Sequence, residues 1–406
     1  MNVGLLGAGI VGGSLLEILA RDGERISAVN GSPVHVTRVL EPDSSKHDRI
    51  RSFGAEIARD LEDIIGDESI EVVVELVGRI DPSRDLIARA LEGGKHVVTA
   101  NKDLISEHLD ELQEIARRRN VALLFEASVC AAIPLLKPLS GFLRSNRIRG
   151  IAGIVNGTCN YILTRMAEKD SSLDEALAEA KRLGYAESDP SADITGLDAA
   201  RKICILARLA YGLPVKPGDI QVEGIQGVTL DDVRAGKSAG LTLKSIAEAV
   251  IVDEERRLVN VRVGPAYVPS DSQLASIRDS FNGVEIQGQP MDTLFFVGRG
   301  AGGLPTASAV LGDILEIQRL REAASALSSV QCRYRLLPRE MMESRWFLRG
   351  PRPGLGEELA RRGIPVETAG EKSALTGVTP DAKLISVAGT LRESGLGGIR
   401  ALRVYR

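Results

Sequence analysis

The sequence predicts an α/β protein with a doubly wound parallel sheet, a second α+β domain and a small C-terminal domain of βαββαβ order. Apolar strand runs alternate with amphipathic helical runs over the first part of the chain, and such alternation builds a parallel sheet covered by helices. The alternation stops after Pro134, and βαββαβ patterns return near the C-terminus. The predicted domains are residues 1–134, 135–325 and 326–406, with the end of the second segment returning to the first domain.

Composition excludes several classes of protein. The chain has 406 residues, 44% of them hydrophobic, and a net charge of −4. It has no basic field that would predict a nucleic-acid partner and no run of about 18 apolar residues that would predict a membrane span. An apolar strand begins at once, so no signal peptide is expected. Four cysteines, far apart and without a CxxC pair, indicate a reduced, cytoplasmic protein: Cys130, Cys159, Cys204 and Cys332.

The histidines limit the chemistry of any site in the later part of the chain. All four lie in the first 108 residues: His35, His47, His96 and His108. A site farther along must use other acids and bases. This disfavours a histidine zinc site or a Ser-His-Asp triad that spans the chain.

The opening stretch, MNVGLLGAGIVGG, is the first motif with a chemical meaning. Gly7, Gly9 and Gly12 lie between a buried strand and an amphipathic helix. Glycines permit a tight turn and close backbone approach, and the helix N-terminus offers N–H groups to a pyrophosphate. Glycine-rich turns are common, but one between strand and helix at the start of a βα alternation predicts a Rossmann-type dinucleotide site. The predicted contacts are Gly7, Ala8, Gly9, Ile10, Val11 and Gly12.

The residue after the second strand bears on which dinucleotide is bound. That strand reads VTRVL, residues 36–40, and Glu41 follows it directly. A carboxylate there accepts hydrogen bonds from the adenosine ribose and repels a 2′-phosphate, which favours NAD over NADP. Two alternatives stay open: Glu41 is a solvated strand-end residue, or the nearby Arg38 and Lys46 favour the phosphate.

Ligands of an open parallel sheet bind outside the carboxyl ends of its strands. Lys102, in VVTANKDL, follows a buried strand on the edge where a nicotinamide would lie. Asn101 and Glu126 fall on the same edge, and a surface lysine at a helix start is the alternative for Lys102. The cofactor contacts predicted at these strand ends are Gly78, Thr99, Ala100 and Lys102.

The densest polar cluster is GYAESDPSADITGLDAARKICILA. Glu187, Asp189, Asp193 and Asp198 fall within twelve residues. Asp198 and Lys202 are four apart, so they share one face of the predicted helix. A lysine beside a carboxylate at the start of an apolar helix can exchange a proton in a closed site. An exposed ion pair is the alternative, which the nearly uncharged helix disfavours.

These motifs together resemble homoserine dehydrogenase, in order and spacing, over roughly residues 1–320. They are GLLGAGIVGG, GKHVVTANKDLI, FEASVCAAIPLL, VNGTCNYILTRM, LGYAESDPSADITGLDAARKICILA, QVEGI and GRGAGGLPTASAVLGDI. The block GYAE-DP-AD--G-DAA-K is highly specific. The resemblance implies reversible NAD(P)-dependent reduction of L-aspartate 4-semialdehyde to L-homoserine, in threonine, methionine and isoleucine biosynthesis.

The resemblance also implies roles for individual residues. Lys102 and Lys202 match the family's two active-site lysines. Lys202 would protonate the carbonyl oxygen and take that proton back in reverse, while Asp198 would orient it or a water beside it. Glu187 would bind the substrate ammonium. The remaining implied contacts are Asp193, Gly157, Thr158 and Tyr185 for the substrate and Gly302 for the cofactor.

A sodium ion bound by main-chain carbonyls is implied too. This chain has Cys130, Ala131 and Ala132 where the family usually has two or three glycines. Carbonyl ligation requires no particular side chain, but it requires the backbone path, and Cβ atoms narrow the conformations available. The implied ligands are the carbonyls of Glu126, Val129, Ala131 and Ile133.

The C-terminal segment resembles an ACT-type regulatory domain, which the family often carries as a site for amino-acid feedback. Such a module usually has an acidic or amide residue two before its Pro-Gly, and here that place is Pro351, in GPRPG. Amino-acid binding and a role in dimerisation alone are both open. The family forms dimers or tetramers through the sheet of the substrate domain, so a homodimer or homotetramer is expected.

Two other functions compete with this one. An acylating semialdehyde dehydrogenase would use Cys130 as a thiol nucleophile, but such a thiol needs a neighbouring base and no histidine follows His108. A catalytically silent NAD-binding sensor would not need Lys102, Asp198 and Lys202 together. The intact set therefore favours the enzyme.

Overall fold

The computed structural model describes residues 1–323, 334–393 and 398–405. These residues form two compact units. The first comprises Met1–Asn146, Cys204–Gly212 and the described part of Gly298–Gln331; the second comprises Arg147–Ile203, Leu213–Val297 and the described part of Cys332–Arg406. Within the described ranges, no helix is both long and apolar enough to cross a membrane.

Strands and helices alternate over the first part of the chain, as predicted. A short 3₁₀ helix, Glu126–Ser128, follows the last of these strands. The elements in order are β1 (Asn2–Leu6), α1 (Ile10–Asn30), β2 (His35–Leu40), α2 (His47–Ser52), β3 (Glu56–Ile57), α3 (Glu62–Ile65), β4 (Ile70–Glu75), α4 (Ile80–Glu92), β5 (His96–Thr99), α5 (Lys102–Arg119), β6 (Leu123–Leu124) and α6 (Leu136–Ser140).

The middle of the chain changes to longer strands and helices. Strand β7 leads directly into helix α7, which begins two residues earlier than the sequence pattern predicts. The elements are β7 (Arg147–Ile154), α7 (Gly157–Lys169), α8 (Leu173–Arg182), α9 (Ser191–Ile194), α10 (Leu197–Tyr211), β8 (Gln221–Val222), α11 (Leu230–Ser238), β9 (Leu241–Asp253), β10 (Leu258–Pro269), α12 (Gln273–Ser276), β11 (Phe281–Gln289) and β12 (Asp292–Arg299).

The described last part of the chain contains the predicted βαββαβ order, with one two-residue strand before it and another before its second helix. The sequence predicts a connector over residues 320–342, of which residues 324–333, including Cys332, lie outside the described residues. The elements are α13 (Gly303–Ala323), β13 (Arg335–Leu336), β14 (Glu343–Arg349), α14 (Leu355–Arg361), β15 (Val366–Ala369), β16 (Ser373–Thr376), β17 (Thr379–Pro380), α15 (Asp381–Glu393) and β18 (Arg400–Val404).

The first unit contains a six-stranded sheet in the order β3-β2-β1-β4-β5-β6. Every neighbouring pair is parallel. The strand order reverses between β1 and β4, which is where such sheets bind their ligands. Val3, Leu5, Val72 and Val74 are fully buried, as expected for strands covered by helices on both faces. The predicted doubly wound parallel sheet is therefore confirmed.

The second unit contains a mixed sheet whose main path runs β12-β11-β7-β9-β10-β18-β14-β16-β15. Strand β18 pairs in parallel with β10, through Ala266 with Arg403 and Tyr267 with Val404. The C-terminal strands therefore extend the central sheet. This pairing between distant parts of the chain joins the last segment to the middle one within a single sheet.

Buried charges reinforce this junction within the second unit. Glu248 on β9 accepts hydrogen bonds from Arg262 on β10 and, at 3.2 Å, from Arg403 on β18. Asp232, which is fully buried, accepts two hydrogen bonds from Arg349 on β14, at 2.9 and 3.0 Å. The C-terminal strands are thus attached by ion pairs as well as by backbone pairing.

Candidate active site

The glycine turn of the first unit has the geometry of a pyrophosphate cradle. Gly7 has φ +91°, and its N–H donates to the Leu40 carbonyl at 2.9 Å. A Cβ on Gly12 would lie 2.3 Å from the Gly7 carbonyl oxygen, whereas one on Gly9 would meet nothing within 4 Å. Gly12 therefore lets the helix pack on the turn. Gly9 leaves the start of α1 open to a ligand, so the chain fits a dinucleotide here.

Glu41 lies buried beside this turn. Its Oε2 accepts from the Ala8 N–H at 2.8 Å, its Oε1 accepts from the Asp43 N–H at 3.0 Å, and Lys46 Nζ lies 3.3 Å away. Burial alone would raise the pKa of Glu41, but these contacts bring the pKa below its usual value. The carboxylate is therefore ionised, and its hydrogen bonds stabilise the turn. The alternative of a solvated strand-end glutamate is wrong.

The two cations that could favour a 2′-phosphate differ in position. Arg38 Nε lies 3.2 Å from Asp67 Oδ2, and its Nη2 lies 3.8 Å from Glu56. Lys46 instead pairs with Glu41 and lies 3.6 Å from Asp43 Oδ2. Of the two, only Lys46 lies beside the strand-end carboxylate.

A second buried carboxylate, Glu75, organises the carboxyl end of β4. It accepts hydrogen bonds from the backbone N–H of Val77 at 2.8 Å and of Gly78 at 3.2 Å. It also accepts from the Ser83 hydroxyl at 2.8 Å and from the Thr99 hydroxyl at 2.6 Å. Sequence reasoning missed Glu75, although its position at a strand end was a usable signal. Because the Thr99 side chain is fully buried, any contact of Thr99 with a cofactor would use its backbone.

Lys102 is the first residue of α5, on the predicted edge of the sheet. The preceding Asn101 caps this helix, accepting from the Leu104 N–H at 3.1 Å and donating to the Arg79 carbonyl at 2.8 Å. The Lys102 side chain is 35% exposed, and its Nζ lies 3.9 Å from Asp103. Its backbone is thus held at the start of a capped helix.

The turn after β6 has the left-handed backbone that the family's glycines would supply. Cys130 has φ +55° and Ala131 has φ +42° despite their Cβ atoms. The Glu126 carboxylate accepts from three successive N–H groups at the start of α6, at 2.6, 2.8 and 2.7 Å: those of Leu135, Leu136 and Lys137. Among the described residues, no group of three or more His, Cys, Asp or Glu side chains could hold a metal ion.

The second unit places Asp198 and Lys202 in a buried pair. Lys202 Nζ donates to Asp198 Oδ2 at 2.8 Å and to the Val155 carbonyl at 2.8 Å. The two side chains are 8% and 10% exposed, respectively. The predicted shared helix face is confirmed, and the alternative of an exposed ion pair is wrong.

Asn156, which sequence reasoning missed, joins this pair to Asp193. Its Nδ2 donates to Asp193 Oδ1 at 2.7 Å and to Asp198 Oδ2 at 2.8 Å. Burial, together with the nearby charge of Asp198, raises the pKa of Asp193, and the bond from Asn156 opposes that rise. The sequence signal was the asparagine of VNGTCNYILTRM, three residues before the predicted start of the helix at about Cys159.

The other predicted substrate contacts lie around the start of α7. The Thr158 hydroxyl donates to the Tyr185 carbonyl at 2.7 Å, and Tyr185 is 40% exposed. A Cβ on Gly157 would lie 2.7 Å from the Ser280 carbonyl oxygen. Glu187, two residues beyond Tyr185, is exposed. In the first unit, Gly302 directly precedes α13 and has φ +119°.

A sheet of this strand order with an open glycine turn, together with a buried lysine–carboxylate pair, defines a dinucleotide-dependent oxidoreductase. Family models agree in detail. Residues 7–126 match the model described as the homoserine dehydrogenase NAD binding domain, and residues 134–315 match the homoserine dehydrogenase model. The chain belongs to the homoserine dehydrogenase family.

Individual relatives lead to the same family. The homoserine dehydrogenase of Synechocystis is 42% identical over 318 residues, covering 78% of this chain and 73% of the relative. That of Mycobacterium tuberculosis strain H37Rv is 38% identical over 377 residues, covering 90% and 85%. A crystal structure of a homoserine dehydrogenase from Thiobacillus denitrificans has a TM-score of 0.91 at 33% identity, covering 100% of this chain and 98% of that one.

A hyperthermophilic archaeal homoserine dehydrogenase in complex with NADPH has a TM-score of 0.66 at 26% identity, covering 78% of this chain and 97% of that one. The present chain is thus an NAD(P)-dependent oxidoreductase that interconverts L-aspartate 4-semialdehyde and L-homoserine. The acylating dehydrogenase and silent sensor alternatives are wrong.

Proposed function

We propose that Lys202 exchanges the proton at the carbonyl oxygen of the substrate. The observation that carries this proposal is the 2.8 Å contact between its ammonium and Asp198 in a buried setting. Bound NAD(P)H would supply the hydride that reaches carbon 4 of the semialdehyde. Lys202 gives a proton to the oxygen of the alcohol that forms, and takes that proton back in homoserine oxidation. The Asp198 carboxylate and the Val155 carbonyl orient the ammonium.

Acidic residues of the second unit suit the substrate ammonium. Asp193 faces Asp198 through Asn156, and burial raises the Asp193 pKa. A bound ammonium would favour the ionised form of Asp193, so binding and ionisation support each other. We propose that Glu187 and Asp193 bind the ammonium, and that Gly157, Thr158 and Tyr185 line the pocket.

In the first unit we propose that Lys102 is the second active-site lysine. It opens α5 on the carboxyl edge of the parallel sheet, where cofactors of this fold bind. Its cationic side chain suits the substrate carboxylate or the reacting oxygen. The proposed cofactor contacts on this unit are Gly7, Ala8, Gly9, Ile10, Val11, Gly12, Glu41, Gly78, Thr99, Ala100, Lys102 and Gly302.

We propose that NAD is preferred over NADP. The support is the ionised, buried Glu41 next to the glycine turn, with Asp43 as a second acid nearby. Lys46 offsets part of this negative charge, which limits the preference without reversing it. Absorbance assays of homoserine oxidation by the purified chain, with NAD and with NADP, test both the activity and this order. A higher kcat/KM with NADP would contradict it.

We propose a sodium site at the turn after β6, with the carbonyls of Glu126, Val129, Ala131 and Ile133 as ligands. The left-handed conformations of Cys130 and Ala131 support the backbone path that this requires. The ion would hold the turn together, and its binding would stabilise the folded chain. Melting temperature should therefore be higher in sodium than in tetramethylammonium chloride at equal ionic strength. Equal melting temperatures would contradict the site.

We propose that β14 to β18 form an ACT-like module. The order β18-β14-β16-β15, with antiparallel neighbours, supports this. Gly354, the glycine of the Pro-Gly, has φ +87° and is the N-terminal cap residue of α14, but Pro351 occupies the usual acidic or amide position. Amino-acid binding and dimerisation alone remain the two alternatives. Calorimetric titration with the twenty amino acids separates them, since only the first predicts saturable heat.

The proposed assembly is a homodimer or homotetramer formed through the sheet of the second unit. Strand β12 ends that sheet, and its Val297 side chain is 51% exposed. Light scattering during size-exclusion chromatography tests this proposal, and a monomer at micromolar concentration would contradict it. The proposed location is the cytoplasm, where thiols stay reduced.

A further inference from the structure

Both polar atoms of the Asn156 side-chain amide form hydrogen bonds within the second unit. Its Oδ1 accepts from the Cys159 N–H at 2.8 Å and so caps α7. Its Nδ2 donates to Asp193 Oδ1 at 2.7 Å and to Asp198 Oδ2 at 2.8 Å. A side-chain amide has two N–H donors, so both are engaged. The side chain is 5% exposed, which shields these bonds from water.

The bonds fix one particular atom of the proposed proton-exchange pair. Asp198 Oδ2 accepts from Asn156 and also from Lys202 Nζ. The position of this oxygen therefore depends on both donors. Residue 155 adds a further constraint, because its carbonyl accepts from Lys202 at 2.8 Å. The two residues directly before α7 thus contact the pair, Val155 through Lys202 and Asn156 through Asp198.

Asn156 also separates two acids that would otherwise repel each other. Asp193 and Asp198 each accept one N–H from the same nitrogen. Without these donors, the two carboxylates would face each other across a buried space and would move apart or take up a proton. Either change would alter the contact between Asp198 and Lys202.

We propose that Asn156 is a positioning residue that fixes Asp198 Oδ2, so that Lys202 keeps one orientation during proton exchange. The residue acts through Asp198 rather than on the substrate. This inference rests on the roles proposed above for Asp198 and Lys202. The residue that caps α7 would thus also affect the rate of proton exchange.

The variant Asn156→Ser separates the capping of α7 from the hydrogen bonds to the two carboxylates. Serine is a good N-cap, but its side chain is too short to reach both carboxylates. We expect kcat to fall on the order of tenfold or more, because small displacements of catalytic groups carry costs of this size. The KM for homoserine should change much less. The matched control is Ser172→Ala, which removes the cap of α8 outside the site and should leave kcat unchanged.

A double-mutant cycle with Asp198→Asn tests the route of the effect. If Asn156 acts through Asp198, then Asn156→Ser should cost little further kcat in the Asp198→Asn background. A full additional loss there, or an unchanged kcat in Asn156→Ser alone, would overturn the inference. Asn156→Asp, which keeps the cap acceptor and the side-chain length, serves if the serine variant does not fold; it should lose more activity, because it adds a third carboxylate.

The cycle also distinguishes failure of this inference from failure of the proposed function. If Asp198→Asn lowers kcat while Asn156→Ser does not, the proposed role of Asp198 is supported and that of Asn156 is contradicted. If Asp198→Asn itself has a normal kcat, both fall together. A larger primary isotope effect on kcat with homoserine deuterated at carbon 4, seen in Asn156→Ser and absent from Ser172→Ala, would support the inference. An unchanged isotope effect together with a lower melting temperature would assign Asn156 to stability alone.

Discussion

Lys202 Nζ lies 2.8 Å from Asp198 Oδ2, in a pair whose side chains are only 10% and 8% exposed. One turn of α10 separates the two residues, so the helix itself sets their distance. Removing two charges from water is costly unless they are paired and hydrogen-bonded. The carbonyl of Val155 and the amide of Asn156 supply the further hydrogen bonds. The first two turns of α10 thus hold the proposed proton donor beside its counterion.

Glu187→Gln should raise the KM for homoserine more than it lowers kcat. An ammonium contact persists through the reaction, so its loss removes mainly uniform binding. Steady-state assays with varied homoserine check this. The matched control is Asp189→Asn, a nearby exposed acid that accepts from the Ser191 N–H at 3.1 Å; its KM should stay near that of the parent. An unchanged KM in Glu187→Gln would return this residue to a surface role.

Glu41→Ala should erode the preference for NAD. A charge-assisted hydrogen bond to the ribose is worth about 1.5–3 kcal/mol, so the ratio of NAD to NADP affinity should fall about tenfold or more. Most of the change should be lost NAD affinity, measured by fluorescence titration. Lys46→Ala should shift the ratio the opposite way, because it removes the cation that pairs with Glu41. A parent chain that already prefers NADP would contradict this account of Glu41.

Glu248→Ala should destabilise the second unit by about 3–5 kcal/mol, the usual cost of breaking a buried ion pair from one side. It would leave Arg262 and Arg403 buried without the carboxylate that both contact. Urea unfolding measures the loss. Glu255→Ala, an exposed acid in the turn after β9, should stay within about 0.5 kcal/mol of the parent. Equal stabilities of the two variants would show that the C-terminal strands do not depend on this network.

Lys244 should make stability depend on pH in the alkaline range. The pKa of Lys244 is lowered from 10.5 to about 8, mainly by burial and in part by the charge of Arg278, while two acids oppose the shift: Glu168 and Asp279. Between those two values the unfolded chain binds more protons than the folded chain, so stability rises from pH 8 to about 10.5. Lys244 is only 3% exposed, so solvent screens this effect little. The full change in the free energy of unfolding is about 3 kcal/mol.

Lys244→Met isolates this effect, since it removes one titrating group and leaves the others. The stability of the variant relative to the parent should be greatest near pH 7 and should decline as the pH rises toward 10.5. Urea unfolding across this range gives both curves. A constant difference between them would mean that Lys244 titrates alike in the folded and unfolded chains.

Local patterns sufficed for much of the fold and for one half of the site. Apolar runs predicted the strands of the parallel sheet, because those strands are buried on both faces. The spacing of Asp198 and Lys202 predicted their pairing, because helix geometry fixes residues four apart.

What the sequence could not reveal depends on contacts between distant residues. Asn156 meets Asp198 across 42 positions, and Glu75 meets Thr99 across 24. The continuation of the central sheet through β18 likewise depends on pairing with β10. No periodicity within either strand encodes that partner, so the sequence alone does not reveal the pairing.

The central claim is that Lys202 exchanges the proton with the substrate oxygen, and kcat for homoserine oxidation by Lys202→Met tests it most directly. Methionine has a similar length and no charge, so the variant removes the proton donor with little change in volume. The account predicts a fall in kcat on the order of 10²-fold or more, with NAD affinity nearly unchanged. A Lys202→Met enzyme with near-normal kcat would contradict it.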